Sequence, residues 1–118
     1  MSALTLGTVP SSFLIDHLPG VTLPEDDDWI ALVRAPEGLT VVRDAPPWSE
    51  AERWTGLYAT GSGLGSADRL SSVVSPLAEA DVPVLVVSTF HGELVLTPER
   101  LEKTVLGALE DAGHRILR

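Results

Sequence analysis

The sequence has no cysteine, few aromatic residues and few basic residues, and each shortage narrows the possible classes of protein. Without cysteine, the chain has no disulfide bond, no thiolate nucleophile and no cysteine-ligated zinc site. Aromatic residues make up 5% of the 118 residues, whereas hydrophobic residues make up 44%. The core must therefore be built mainly from aliphatic side chains. The length of 118 residues is that of one domain or of two very small ones.

The shortage of basic residues argues against nucleic-acid and membrane partners. Eight lysines and arginines face 17 aspartates and glutamates, giving a formal net charge of −9. Such a chain repels phosphate backbones and anionic lipid surfaces. The N-terminus lacks the basic and then apolar pattern of a signal peptide, and no apolar run approaches the roughly 18–20 residues of a membrane span. We expect a soluble, cytoplasmic protein with no nucleic-acid and no membrane partner.

The first part of the chain is predicted to consist mostly of strands. Residues 29–34 and 39–43 are apolar runs joined by Pro36-Glu37-Gly38, which predicts a β-hairpin. Residues 4–9 alternate weakly and suggest a short strand, while residues 11–18 suit either a strand or a helix. Adjacent prolines interrupt the pattern at residues 46–53, which predicts a connection between two halves.

From residue 54 onward, the pattern predicts the order strand, helix, strand, strand, helix, strand. Leu70, Val73, Val74 and Leu77 recur on one face of the first helix, although Pro76 removes the backbone hydrogen bond back to Ser72. The second helix is predicted to begin around Thr97-Pro98 and to end at Gly113. The predicted elements are strands 54–60, 82–89, 93–96 and 114–117, with the helices following Ser66 and Thr97. This order is the split βαβ, ferredoxin-like pattern.

One long stretch of this second half resembles a known family. LSSVVSPLAEADVPVLVVSTFHGELVLTPERLEKTVLGALEDAGHRI is similar to the second half of small tandem ACT-domain proteins of the CASTOR type. The resemblance implies an α+β protein of tandem ACT-like ferredoxin folds (βαββαβ), with helices on one face of an antiparallel sheet. Residues 1–45 would form a degenerate, strand-rich half, residues 46–53 the proline-rich connection, and residues 54–118 a complete half.

The resemblance also implies a ligand site and a partner. ACT domains bind small ligands, typically amino acids, between domains, and such chains pair with a second copy as homodimers. The site would combine the loop before the first helix with the end of the second strand and the hairpin that follows. The ligand-binding candidates are Gly61, Ser62, Gly63, Leu64, Gly65, Ser66, Ser88, Thr89 and Glu93.

These residues also have plain structural interpretations. Glycines and free amides before a helix suit a carboxylate, but the same loop can be a flexible connection. The hydroxyls of Ser88 and Thr89 can bind a ligand or simply satisfy the end of a strand. Glu93 can pair with a ligand ammonium or face water. The binding interpretation and the structural one therefore both stay open for this loop and this hairpin.

The sequence shows no catalytic constellation. The three histidines, His17, His91 and His114, are far apart, and His91 and His114 are expected to be exposed. There is no P-loop, no nucleophile elbow and no calcium-loop spacing. We therefore expect no enzyme activity, no cofactor and no metal. The hypothesis is a regulatory protein that binds an amino acid, and the alternative is an ACT scaffold that has lost binding and mediates protein association.

Overall fold

The computed structural model describes residues 4–20, 23–24, 28–60 and 67–117. These residues form seven strands, two α-helices and one 3-10 turn. The strands are β1 (Thr5–Leu18), β2 (Trp29–Ala35), β3 (Gly38–Asp44), β4 (Trp54–Thr60), β5 (Leu85–Ser88), β6 (Gly92–Pro98) and β7 (Arg115–Leu117). The helices are α1 (Ala67–Glu79) and α2 (Glu102–Asp111), the latter preceded by a 3-10 turn at Glu99–Leu101. The predicted order of elements from residue 54 onward is confirmed.

The predicted architecture, however, is wrong. The strands form one sheet in the order β2-β3-β1-β4-β6-β5, with β7 pairing with β1. Strands hold 48% of the described residues, and the mostly antiparallel sheet curls into a nearly closed barrel rather than into tandem βαββαβ ferredoxin folds. The reason lies in β1, whose first half separates β7 from β4 and whose second half carries β3. A strand shared in this way joins all the strands into one sheet.

β1 is a single strand of 14 residues, which resolves the ambiguity at residues 11–18. Pro10 lies in its middle, at the point where the register with β4 shifts between Val9 and Ser12. Proline lacks a backbone donor, so within a sheet it is tolerated at such a bulge. The bulge lets one strand pair with β4 and β7 near its start and with β3 near its end.

Two hydrophobic clusters fill the space on either side of the sheet. One lies between the helices and the strands and includes Leu6, Leu57, Val73, Leu77 and Leu109. The other, made of Phe13, Val42 and Leu96 with partly buried neighbours, lies where the sheet curls on itself. The hairpin of β2 and β3 is confirmed, with Ala35 opposite Gly38. The curl brings β2 and β5, the two ends of the strand order, to a shared apolar cleft of about 550 Å³.

Helix α1 buries a face that is rotated from the predicted one. Val73 and Leu77 are buried as predicted, but the other buried residues are Arg69, Ser72 and Pro76 rather than Leu70 and Val74. The rotation of one residue, about 100° on a helix, places a charged residue against the sheet. It also places Pro76 and the carbonyl of Ser72 inside the protein.

His114, predicted to be exposed, is buried and completes the hydrogen bonding of α1. Its Nε2 lies 2.7 Å from the carbonyl oxygen of Ser72. This is the helix carbonyl to which Pro76 cannot donate a hydrogen bond, because proline has no backbone N–H. Its Nδ1 accepts a hydrogen bond from the backbone N–H of Leu4 at 3.1 Å. Because Nδ1 accepts, Nε2 carries the proton and donates to Ser72. One imidazole thus joins the start of β1, the middle of α1 and the start of β7.

Both helices end in the same motif with different residues in the left-handed position. After α2, the N–H of Gly113 donates to Glu110 and that of His114 donates to Leu109, with Gly113 at a φ of 96°. After α1, the N–H groups of Asp81 and Val82 donate to Ala78 and Leu77. Asp81 takes the equivalent position at a φ of 60°. This is the Schellman arrangement, in which glycine is the favoured residue.

Asp81→Gly is therefore expected to stabilise the protein by about 0.5–1 kcal/mol, because glycine adopts this conformation without a Cβ penalty. The measurement is urea denaturation at constant pH. The matched control is Gly113→Ala, which places a Cβ in the same conformation with nothing within 4 Å of it. It is expected to destabilise by about 1 kcal/mol from backbone strain alone. Equal effects of the two substitutions, or effects of the same sign, would contradict this interpretation.

Candidate functional site

The structure describes three of the predicted ligand-binding residues. Gly61, Ser62, Gly63, Leu64, Gly65 and Ser66 lie outside the described residues. Ser88 ends β5, Thr89 follows it in the turn, and Glu93 lies near the start of β6. Ser88 and Thr89 are exposed, whereas Glu93 is only 2% exposed. The three residues therefore share one hairpin but meet different surroundings.

The turn of this hairpin differs from the predicted two-residue loop at His91-Gly92. The N–H of Thr89 donates to the carbonyl of Gly92 at 2.8 Å, so Phe90 and His91 form the tip. Gly92 is not among the glycines of positive φ. It is required for a different reason, because a Cβ there would overlap the carbonyl oxygen of Ala59 on β4. Close contact between strands, rather than turn conformation, selects glycine at this position.

Glu93 is paired with a residue that the sequence did not single out. Arg69, in the first turn of α1, donates from Nε to Oε1 at 2.7 Å and from a terminal nitrogen to Oε2 at 3.0 Å. Arg69 is 6% exposed, so the pair is buried between α1 and β6. The hydrogen bonds with Glu93 raise the pKa of Arg69 above its ordinary value, against the lowering effect of desolvation. The guanidinium therefore stays charged, and the pair locks the start of α1 onto the sheet.

A hydroxyl pair lies at the same end of these strands, on the opposite face of the sheet, because Tyr58 pairs with Leu94 whereas Glu93 pairs with Ala59. The Tyr58 and Thr89 hydroxyl oxygens are 2.7 Å apart. The Thr89 hydroxyl donates to the carbonyl of Gly92 and accepts from its N–H, which leaves Tyr58 as the donor to Thr89. Tyr58 also adds to the electrostatic field that raises the pKa of Arg69. The phenol oxygen keeps lone pairs that can accept a hydrogen bond from a ligand.

We call Tyr58, Arg69, Ser88, Thr89 and Glu93 the polar corner. It brings together β4, α1, β5 and β6 at the edge where the chain passes from β4 into residues 61–66 and on into α1. Its exposed members offer hydroxyl groups, and its buried members hold the helix in place. This arrangement can bind a small polar molecule by hydrogen bonds. Glu93, with both oxygens used by Arg69, acts in it by positioning Arg69.

The sequence analysis singled out neither Tyr58 on β4 nor Arg69 on α1, and Arg69 was missed because the face of α1 was predicted from its apolar residues alone. Arg69 belongs to the same helical face as Ser72, Val73, Pro76 and Leu77, at spacings of three, four, seven and eight residues. That spacing was available as a signal. The pairing of Arg69 with Glu93 could not be predicted in this way, because the two residues are 24 positions apart in the sequence.

The described residues contain neither a metal-binding cluster of side chains nor a membrane-spanning helix. No group of three or more histidine, aspartate or glutamate side chains among them is arranged to hold a metal ion. Neither α-helix in the described part of the chain has the length and apolarity that crossing a membrane requires.

Comparison with solved structures places this fold among known proteins. The protein Atu0741 from Agobacterium tumefaciens is similar with a TM-score of 0.82 and 22% sequence identity, over 99% of this chain and 94% of that one. VC0802 from Vibrio cholerae, a protein of unknown function described as a possible transport protein, is similar with a TM-score of 0.73 and 17% identity. That likeness covers 98% of this chain and 91% of the other. At these identities the likeness shows the fold alone.

Sequence comparison gives the family. No curated protein matches the chain. A family model described as the ACT domain matches residues 49–111 of this chain. The matched segment is more than half of the 118 residues and includes every member of the polar corner. The match thus covers β4, α1, β5, β6 and α2. The chain belongs to the ACT domain family.

Proposed function

We propose that this protein is a non-catalytic regulator that binds an amino acid at the polar corner and acts as a homodimer. Membership of the ACT domain family suggests a regulatory role through a small ligand, and ACT domains are generally non-catalytic. The observation that carries the proposal is the exposed Tyr58–Thr89 hydroxyl pair, at the same end of β4 and β6 as the buried Arg69–Glu93 pair but on the opposite face of the sheet. The choice of an amino acid rests on the resemblance to CASTOR-type proteins.

The proposed site divides its work between exposed and buried residues. Tyr58 and Ser88 contact the ligand through their hydroxyl oxygens, and the Thr89 hydroxyl, which is already bonded to Gly92 and Tyr58, holds the Tyr58 phenol in place. Residues 61–66 are proposed to contact the ligand as well, because they precede α1 in the sequence and the dipole at the start of a helix favours a carboxylate. The Arg69–Glu93 pair keeps α1 at the distance from β5 and β6 that the ligand requires. Ligand binding then favours one arrangement of the dimer, and a partner protein reads that arrangement.

The test is a thermal-shift screen against the proteinogenic amino acids. A ligand that binds only the folded state must raise the Tm by mass action. Tyr58→Phe removes a ligand hydrogen bond of about 1 kcal/mol and is expected to weaken binding roughly five-fold. Thr89→Ala removes the hydroxyl that holds the Tyr58 phenol and is expected to weaken binding by no more than that. Thr104→Ala, an exposed threonine on α2, is the matched control and should leave the Tm shift unchanged. If no amino acid raises the Tm, the alternative of an association scaffold without ligand binding is favoured.

The proposed dimer uses the edge of β2 that lines the cleft shared with β5. Trp29, Ile30 and Val33 are 39%, 43% and 54% exposed there, at one end of the strand order. Such edges pair readily with another copy. Sedimentation of the wild type is expected to show a dimer, and Ile30→Lys a monomer, because a charge would be buried in the pairing. Leu23→Lys, at a residue that is 54% exposed and lies outside the strands, should leave the dimer intact. A wild-type monomer across the micromolar range would exclude the proposal.

A further inference from the structure

A second pocket lies at the opposite end of β6 from Glu93. It has a volume of about 190 Å³ and lies between the first turns of α2 and the strands β1, β4 and β6. Thr97, whose side chain is 1% exposed, forms part of its lining at the end of β6. The register shift of β1 between Val9 and Ser12 lies beside it. The pocket therefore shares no residue with the polar corner.

The lining of this pocket combines hydroxyls, one carboxylate and an aliphatic wall. Thr8, Thr55 and Thr97 come from three neighbouring strands, and Glu102 comes from the start of α2. Leu57 and Leu106 are among the apolar residues of the wall. None of the described residues that line the pocket is a lysine or an arginine. A ligand carboxylate would find no cationic side chain among these residues.

The hydrogen bonds near the pocket show which ligand groups the lining suits. The Thr8 hydroxyl donates to the carbonyl of Leu117 at 3.0 Å, so its lone pairs are what remain for a ligand. The neighbouring carboxylate of Glu99 already accepts a hydrogen bond from the Ser12 hydroxyl at 2.6 Å, which leaves Glu102 as the carboxylate in the lining. One carboxylate and three hydroxyl oxygens in the lining can accept a hydrogen bond, and the net charge of −9 attracts cations to the surface. The complementary ligand group is an ammonium, which has only donors.

The volume limits the rest of the ligand. A protein cavity of about 150 Å³ lined by aliphatic residues holds benzene, so 190 Å³ accepts a body of roughly six non-hydrogen atoms. We infer that this pocket binds a small aliphatic primary amine, with its ammonium at Glu102 and the threonine hydroxyls and its alkyl chain against Leu57 and Leu106. The site is expected to prefer the amine to the amino acid that has the same alkyl chain, because the amino acid also carries a carboxylate.

The probe is isoamylamine, added to protein labelled at its threonine methyl groups and followed by NMR. The methyl signals of Thr8, Thr55 and Thr97 are expected to shift together with a Kd in the millimolar range, typical of a ligand this small. Leucine, with the same alkyl chain and an added carboxylate, and isoamyl alcohol, without the charge, are expected to shift these signals far less. Absence of shifts with the amine, or equal shifts with the alcohol, overturns the inference.

Two variants locate the contacts. Glu102→Gln is expected to weaken amine binding several-fold, less than a buried charge pair would, because Glu102 is exposed. Glu110→Gln, an exposed glutamate two turns further along α2, is the matched control and should not change the Kd. Leu106→Trp is expected to fill the pocket and abolish the shifts while the rest of the methyl spectrum stays folded. Unchanged binding in Glu102→Gln or in folded Leu106→Trp contradicts the assignment.

The same spectra separate this inference from the proposed function. Thr89 belongs to the polar corner and Thr8, Thr55 and Thr97 to the pocket, so each site has its own reporter. An amino acid that binds at the polar corner shifts Thr89 alone. If no amino acid shifts the Thr89 signal, the proposed function is contradicted but the inference of an amine pocket is not. If the amine shifts none of the three pocket signals, the amine inference is contradicted but the proposed function is not.

Discussion

Glu93→Gln is expected to lower the free energy of unfolding by about 3–5 kcal/mol, the range for removing one partner of a buried ion pair. Glu93 is 2% exposed and accepts two hydrogen bonds from Arg69, at 2.7 and 3.0 Å. Glutamine keeps the shape but removes the negative charge, which leaves the guanidinium buried beside a neutral amide. Urea denaturation, with the midpoint and slope both fitted, measures the loss.

The chain supplies its own control for this result. Glu52 pairs with Arg100 at 3.6 Å, with both side chains about half exposed or more. Glu52→Gln is expected to change stability by less than about 1 kcal/mol, because exposed pairs are screened by solvent. If Glu93→Gln has no larger effect than Glu52→Gln, then the Arg69–Glu93 pair is not buried in solution.

A double substitution tests whether charge or packing holds α1 in place. Replacing both partners of a buried ion pair by apolar residues of similar size is often neutral or stabilising. Arg69→Met with Glu93→Leu is therefore expected to recover most of the stability lost in Glu93→Gln. The same double variant removes the positioning role proposed for the pair, so ligand binding at the polar corner should weaken even though the fold is stable. Binding unchanged in this variant would show that the pair is structural only.

His114→Ala is expected to destabilise the protein by about 2–4 kcal/mol, since it leaves one buried and one partly buried backbone group without their partner. These groups are the carbonyl of Ser72 and the N–H of Leu4, which contact His114 at 2.7 and 3.1 Å. His91→Ala removes an exposed histidine at the tip of the β5–β6 hairpin and should cost no more than about 0.5 kcal/mol. Comparable losses in the two variants would contradict the buried role of His114.

The link between His114 and Pro76 is tested by a double-mutant cycle. Pro76→Ala restores the backbone N–H that donates to the carbonyl of Ser72 in an uninterrupted helix. In that background, His114→Ala is expected to cost at least about 1 kcal/mol less than in the wild type, because Ser72 keeps a donor. Additive effects would mean that the imidazole does not replace the hydrogen bond that proline removes.

Local elements were predictable because their signals lie close together along the chain. Strand β4, both helices and the β2–β3 hairpin follow from periods of two or 3.6 residues and from turn residues. The glycine at the end of α2 was predicted for the same reason, and Gly113 is found there at a φ of 96°. Even so, the periodicity placed the buried face of α1 one residue away from its true position. An arginine and a serine take part in that face, and their burial depends on partners elsewhere.

The candidate site was predicted in part. The hairpin carrying Ser88, Thr89 and Glu93 was found from its sequence and from the resemblance to the family. The partners of these residues were not found: Tyr58 lies 31 residues before Thr89, and Arg69 lies 24 residues before Glu93. Sequence patterns carry no information on which distant side chains meet, so the buried pair and the hydroxyl pair required the structure.

By itself, the sequence determined the order of the elements from residue 54 onward, the aliphatic character of the core and the ACT resemblance. Only the tertiary structure decided how those elements combine. The register of β1 places it between β4 and β7, whose partner residues lie about 50 and 110 positions away, and this pairing turns the expected tandem folds into one curled sheet. A hydrogen bond between strands depends on where backbones meet in space, which no local period specifies. The burial of Arg69, Glu93 and His114 follows from that same long-range assembly.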